Sequence, residues 1–139
     1  MKKRVRIAVL VLLIMAVSAG IIGRGGNTWG VKRIVGESSY FLYSEKDIRN
    51  AMDVVERKFR RDFEGCKLLR MEYDESKTMA EQLERRKYDG VKRTIVLFSD
   101  FYVGFGAEPS FNPNDTYRNW KWILTDDGSG WELRTWGYG

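Results

Sequence analysis

The stretch from Ser44 to Gly65 constrains this chain most, because it specifies a helix with one buried face. Ser44-Glu45-Lys46-Asp47 reads as a helix start: the Ser44 hydroxyl can accept from the third amide of the helix, and Asp47 can reach back. Tyr43 before it and Ile48 after it are spaced as a hydrophobic staple. Ile48, Met52, Val55, Phe59 and Phe63, with Ala51 alongside, recur every three to four residues and form one apolar stripe. Arg49, Asp53, Glu56, Arg57 and Arg60 fall on the other faces, which the pattern assigns to solvent, and Gly65 is a fitting stop. A striped helix of this length needs a partner surface.

The residues that follow supply a sheet. Cys66–Tyr73 alternates, with Leu69, Met71 and Tyr73 on one face and Arg70 and Glu72 on the other. Ser76–Arg86 is polar with Met79 and Leu83 four apart, which predicts a second, shorter helix over an edge. Val91–Val103 contains Ile95-Val96-Leu97-Phe98 and is apolar on both faces, as a central strand covered on both sides would be. Gly104–Asp115 is a loop, Thr116–Thr125 alternates again, Asp126–Gly130 is a hairpin turn and Trp131–Trp136 returns. Before the helix, Gly23–Gly30 reads as a flexible linker, and Val31–Tyr43 offers one possible strand. The expectation is an α+β domain over residues 44–139: a long amphipathic helix on a curved antiparallel sheet of about four strands, with a short second helix. That order of elements is similar to cystatin-like and nuclear-transport-factor-like arrangements, in which a sheet wraps one long helix.

Composition then removes whole classes of chemistry. The chain has no histidine and one cysteine, Cys66. Ser-His-Asp and Cys-His nucleophiles, histidine metal sites and internal disulfides are excluded together. Four of the 24 cations, Lys2, Lys3, Arg4 and Arg6, stand in the first six residues, leaving 20 against 19 carboxylates in the rest. A near-neutral body disfavours nucleic acid as a partner. Apolar residues make up 43% of the chain, enough for a real core.

The amino terminus reads as a targeting segment. A cationic start is followed by the apolar run Ile7–Val17, and Val17-Ser18-Ala19 places small residues before a plausible cleavage point at Gly20. The alternative is a retained anchor extended through Ile22, which is short of the ~20 residues that span a bilayer comfortably. Residues 1–22 are thus a signal peptide or membrane anchor, and 23–43 a linker with the possible strand. Either reading puts the body on the extracytoplasmic side, with membrane contact only through this segment.

Several strings carry a resemblance: the helix Ser44–Phe63, Tyr73-Asp74-Glu75, Ile95–Val103, Asn112-Pro113, Tyr117 with Trp120-Lys121-Trp122-Ile123-Leu124, and Trp136-Gly137-Tyr138. Across residues 44–138 the chain resembles an uncharacterised family of small exported proteins from Gram-positive anaerobes. The resemblance implies an exported one-domain protein and brings no activity or site residue.

Asp100 is the sharpest catalytic candidate, a carboxylate interrupting an apolar strand. In a desolvated pocket opposite Tyr73 or Tyr102 it would act as a general base; at a bend or edge it would bond backbone amides or an arginine. Asp126-Asp127 lacks the spacing of a calcium loop and reads as turn chemistry. Among the five tryptophans, Trp120, Trp122 and Trp136 are the ligand-binding candidates, since an exposed aromatic strip stacks on sugar rings or anchors a partner. The sequence points to no metal and no cofactor. The leading expectation is an exported, noncatalytic binding or interaction module whose ligand or protein partner lies at the cell envelope, with a dimer possible. The alternative is a small enzyme using a carboxylate base and a tyrosine in a cone-shaped pocket. A cystatin-type protease inhibitor ranks third, because no Gln-x-Val-x-Gly hairpin occurs.

Overall fold

The computed structural model describes residues 25–36, 42–91 and 93–138. Residues 1–22, expected to be a signal peptide or membrane anchor, and Tyr40 and Phe41 of the possible amino-terminal strand, lie outside these. In chain order the elements are β1 (Lys32–Ile34), α1 (Glu45–Asp62), β2 (Cys66–Tyr73), α2 (Glu75–Tyr88), β3 (Arg93–Val103), β4 (Asp115–Asp126) and β5 (Trp131–Tyr138).

Helix α1 starts as its sequence dictates. Ser44 is extended, its Oγ accepts from the Asp47 amide at 3.1 Å, and its hydroxyl donates to Asp47 Oδ2. Glu45 and Asp47 occupy the positive end of the helix dipole, and Arg60 and Arg61 the negative end. Ile48, Ala51, Met52, Val55 and Phe59 are fully buried. One member of the supposed solvent face is buried: Glu56, which is ion-paired with Arg33 of β1.

The sheet has five strands rather than about four, in the order β1-β2-β3-β4-β5, and it is mixed. β1 runs parallel to β2, while every other neighbouring pair is antiparallel. A parallel pair needs a crossover, and α1 provides it. Within the described part of the glycine run read as a linker, Gly26 and Asn27 are bonded to the domain. The Gly26 amide donates to Arg60 O at 3.0 Å, and Asn27 exchanges backbone bonds with Cys66 and Leu68. A Cβ on Gly26 would sit 2.2 Å from the Phe59 carbonyl oxygen, so close approach to α1 explains that glycine.

Three irregularities reset which residues face the core. Between Leu68 and Arg70 the pairing of β2 with β3 slips by one. Leu69 is thereby turned out to 39% exposure, while Cys66, Leu68, Met71 and Tyr73 are buried. That corrects the simple alternation, which placed Leu69 with Met71. In β4, Arg118 and Asn119 together oppose Asp100, and Asn119 takes a left-handed φ of 54°. In β5, Arg134 is the extra residue between the Leu133 and Thr135 pairings.

Helix α2 is longer than expected, 14 residues. It lies along the edge of β3 beyond the end of β2, which stops opposite Leu97. There Thr78 Oγ1 accepts from the Val96 amide at 2.9 Å, and Tyr43 Oη accepts from the Thr94 amide at 2.9 Å. Side chains thus satisfy strand donors that no neighbouring strand reaches.

Candidate functional site

The bulges in β4 and β5 bring the aromatic residues of the C-terminal half onto the face nearest the end of α1. After the Arg118-Asn119 bulge, Trp120 and Trp122 join Tyr117 on that face; after the Arg134 bulge, Trp136 pairs with Trp122 and Tyr138 with Trp120. Tyr117 and Tyr138 stack at 5.7 Å, and Trp120 meets Tyr138 edge-on at 5.2 Å.

These rings form one wall of a cleft of about 770 Å³. Lys58, Asp62 and Phe63 from the end of α1 form the second wall, and Glu108, Ser110 and Phe111 from the β3–β4 loop the third. Phe63 stacks on Phe111 at 5.7 Å and meets Trp120 edge-on at 6.4 Å, which ties the walls together. The loop is held in place by tyrosines. Tyr117 Oη accepts from the Asn112 amide at 3.0 Å, and the Tyr102 hydroxyl donates to Asn114 Oδ1 at 2.8 Å.

Two of the three candidate tryptophans line the cleft. Trp136 is 43% exposed, and the Lys58 ammonium sits 4.3 Å from its ring centroid while pairing with Asp62. Trp120 also lines the cleft, and its indole N–H is enclosed with no acceptor among the described residues. Trp122 is fully buried beneath them, donating to Ser99 Oγ at 2.7 Å and stacked behind Trp136, so it supports the wall rather than presenting a face to a ligand. Phe63, Phe111 and Tyr138 also line the site and were not ligand-binding candidates from the sequence.

The structure does not bring Asp100, Tyr73 and Tyr102 together. Asp100 alternates with Ser99 and Phe101, so it points away from α1. Its Oδ1 accepts from the Asn119 amide at 2.9 Å, plugging the bulge, and Oδ2 lies 3.4 Å from Arg70 and 3.6 Å from Arg118. Tyr73 is on the core face opposite Leu97 and donates to Glu75 Oε2 at 2.6 Å. Burial, reinforced by that carboxylate, drives the phenol pKa far above its usual range, so Tyr73 stays protonated. Tyr102 serves the loop, as above. Asp126 closes the hairpin turn, its Oδ1 accepting from Gly128 and Gly130 amides and its Oδ2 bonded to Arg93. Among the described residues no three metal-ligating side chains cluster, and no helix is long and apolar enough to cross a membrane. No family model, curated protein or solved structure matches the chain.

Proposed function

We propose that this protein is an exported, noncatalytic binding module of the cell envelope whose ligand lies in the aromatic cleft between α1, the β3–β4 loop and β4–β5. One observation carries the reading. Six aromatic side chains, Phe63, Phe111, Tyr117, Trp120, Trp136 and Tyr138, converge on a cleft of ligand size, with a few charged groups at its margin. The carboxylate–tyrosine enzyme loses its support, because Asp100 is engaged with two arginines and a backbone amide on the opposite face. Export is supported by the cationic start and the Ile7–Val17 run. The order of elements supports grouping the fold with arrangements in which a sheet wraps a long helix.

Two experiments test this. The full-length chain is titrated with anilinonaphthalene sulfonate, an aromatic anion suited to rings beside Lys58. A saturable fluorescence increase that Trp136→Ala and Tyr138→Ala both weaken is expected; a response indifferent to both substitutions overturns the cleft as the site. Separately, residues 1–30 fused to a reporter active only outside the cytoplasm should give a positive signal, and an inactive, cytoplasmic reporter overturns export.

A further inference from the structure

The two most exposed large apolar side chains among the described residues both stand on glycine-containing turns at one end of the domain. Trp29 is 85% exposed and Phe105 81%. The Trp29 turn is held from three sides. Its own amide donates to Asn27 Oδ1 at 2.8 Å, the Val31 amide donates to the Thr28 carbonyl at 3.3 Å, and Arg60 donates to Thr28 Oγ1 at 3.0 Å. Gly30 completes it at a left-handed φ of 69°. Phe105 stands between Gly104 and Gly106, and the Gly104 amide donates to the Gly65 carbonyl at 2.9 Å. Since Asn27 is bonded to Cys66, both turns flank the connection from α1 to β2.

The chain reaches this end directly from its apolar segment. The Gly26 amide donates to the Arg60 carbonyl, and a Cβ on Gly25 would sit 1.8 Å from that same oxygen, so residues 25 and 26 lie against the carbonyl end of α1. Only Gly23 and Arg24 separate Gly25 from Ile22, so the apolar run ends no more than about 11 Å from Gly25. Trp29 follows four residues later. Charge is balanced around this end: Lys58, Arg60, Arg61 and Lys67 stand against Asp62, Glu64, Glu108 and Asp115.

Resting on the reading of the amino terminus as an export segment, and taking that segment as a retained anchor, we propose that the α1–β2 end of the domain lies on the outer face of the membrane, with Trp29 and Phe105 inserted among the lipid headgroups. An indole sets its ring in the apolar boundary and its N–H toward water, which is why tryptophan collects at membrane interfaces. A bilayer surface engages aromatic tips on separate turns, whereas a protein partner calls for one contiguous apolar patch. With the charges balanced, the rings rather than anionic lipid drive the contact. The β3–β4 loop that carries Phe105 also supplies Glu108, Ser110 and Phe111 to the cleft, so the ligand site stands beside the membrane surface.

The test reconstitutes the full-length chain in phosphatidylcholine vesicles, with and without bromine on the lipid acyl chains, and compares tryptophan emission. Brominated lipid should quench part of the emission, and Trp29→Phe should remove most of that quenching. In the Trp29→Phe chain, Phe105→Trp should restore it. Leu83→Trp in the same chain should not, because Leu83 follows Gln82, which meets Thr94, about 30 Å along β3 from Val103. Trp29, Leu83 and Phe105 are all exposed, so the three substitutions leave the core intact. Quenching should persist in high salt, and its loss there would overturn an apolar contact. If the chain enters the vesicles but the quenching survives Trp29→Phe, is not restored by Phe105→Trp, or appears equally with Leu83→Trp, the proposal falls and the anchor stands. If the chain does not enter the vesicles, both fall.

Discussion

Glu56 separates what the helix pattern alone implies from what the folded chain requires. By its spacing Glu56 belongs to the polar side of α1, where truncation to alanine should cost at most about 0.5 kcal/mol. In the structure its side chain is 11% exposed and ion-paired with Arg33, itself 21% exposed. Removing one partner of a fully buried pair costs roughly 3–5 kcal/mol, whereas an exposed pair is worth about 0–1. This pair lies between those limits, and Arg33 keeps a second carboxylate, Asp53, at 2.6 Å. Glu56→Ala should therefore cost about 1–2 kcal/mol, with a coupling to Arg33→Ala of about 1 kcal/mol in a double-mutant cycle. Urea unfolding of the full-length chain, followed by tryptophan fluorescence, measures both. Val55→Ala and Phe59→Ala, on the buried stripe, set the upper scale at about 2–5 kcal/mol. A Glu56→Ala chain as stable as wild type, or a coupling near zero, would refute the attachment of β1 to α1 through this pair.

Asp100→Asn should lower stability at pH 7 by about 1–2 kcal/mol in the same assay, because asparagine keeps an acceptor for the Asn119 amide but turns a donor toward Arg70 and Arg118; a more stable mutant would mean that the charge is a burden there. Gly26→Ala should cost about 1–3 kcal/mol, since the added methyl meets the Phe59 carbonyl and ring; an unchanged stability would return residues 25–27 to the status of a linker. Burial pushes the Cys66 thiol from about 9 up to about 11, so the folded state holds a proton that the unfolded chain releases. Stability should then fall as pH rises from about 9 to about 11, by about 2 kcal/mol more in wild type than in Cys66→Ala. Parallel pH profiles of the two chains, compared by urea unfolding, would contradict this.

The parts of the fold that follow from local pattern were legible: the α1 cap and stripe, the apolar β3, and the Asp126–Gly130 turn. The rest depended on events that a period of two or 3.6 does not encode. β1 is three residues long and gains its place only by parallel pairing with β2, a nonlocal contact. Its Arg33 is the ion-pair partner of the buried Glu56. Each bulge inserts one residue and flips every later side chain. Strict alternation from Trp131 and Leu133 would place Thr135 on the helix side; the extra Arg134 puts Trp136 and Tyr138 there. For the site, Trp120 and Trp136 were readable as candidates from tryptophan density alone. Phe63 looked like ordinary core, and Phe111 sits in a loop whose return to α1 is tertiary. The dense aromatic content of residues 101–138 was the available signal, but it did not tell buried Trp122 from its cleft-lining neighbours.

The five tryptophans also give the most direct test of the central claim, that the aromatic cleft is where ligand binds. Each indole N–H contributes one nitrogen–proton resonance, assignable by single substitution. On titration of the full-length chain with anilinonaphthalene sulfonate, Trp120 and Trp136 should shift in a saturable way. Trp29, 85% exposed and not among the residues lining the cleft, should stay in place. Shifts confined to Trp29, or equal small shifts of all five resonances without saturation, would contradict the account.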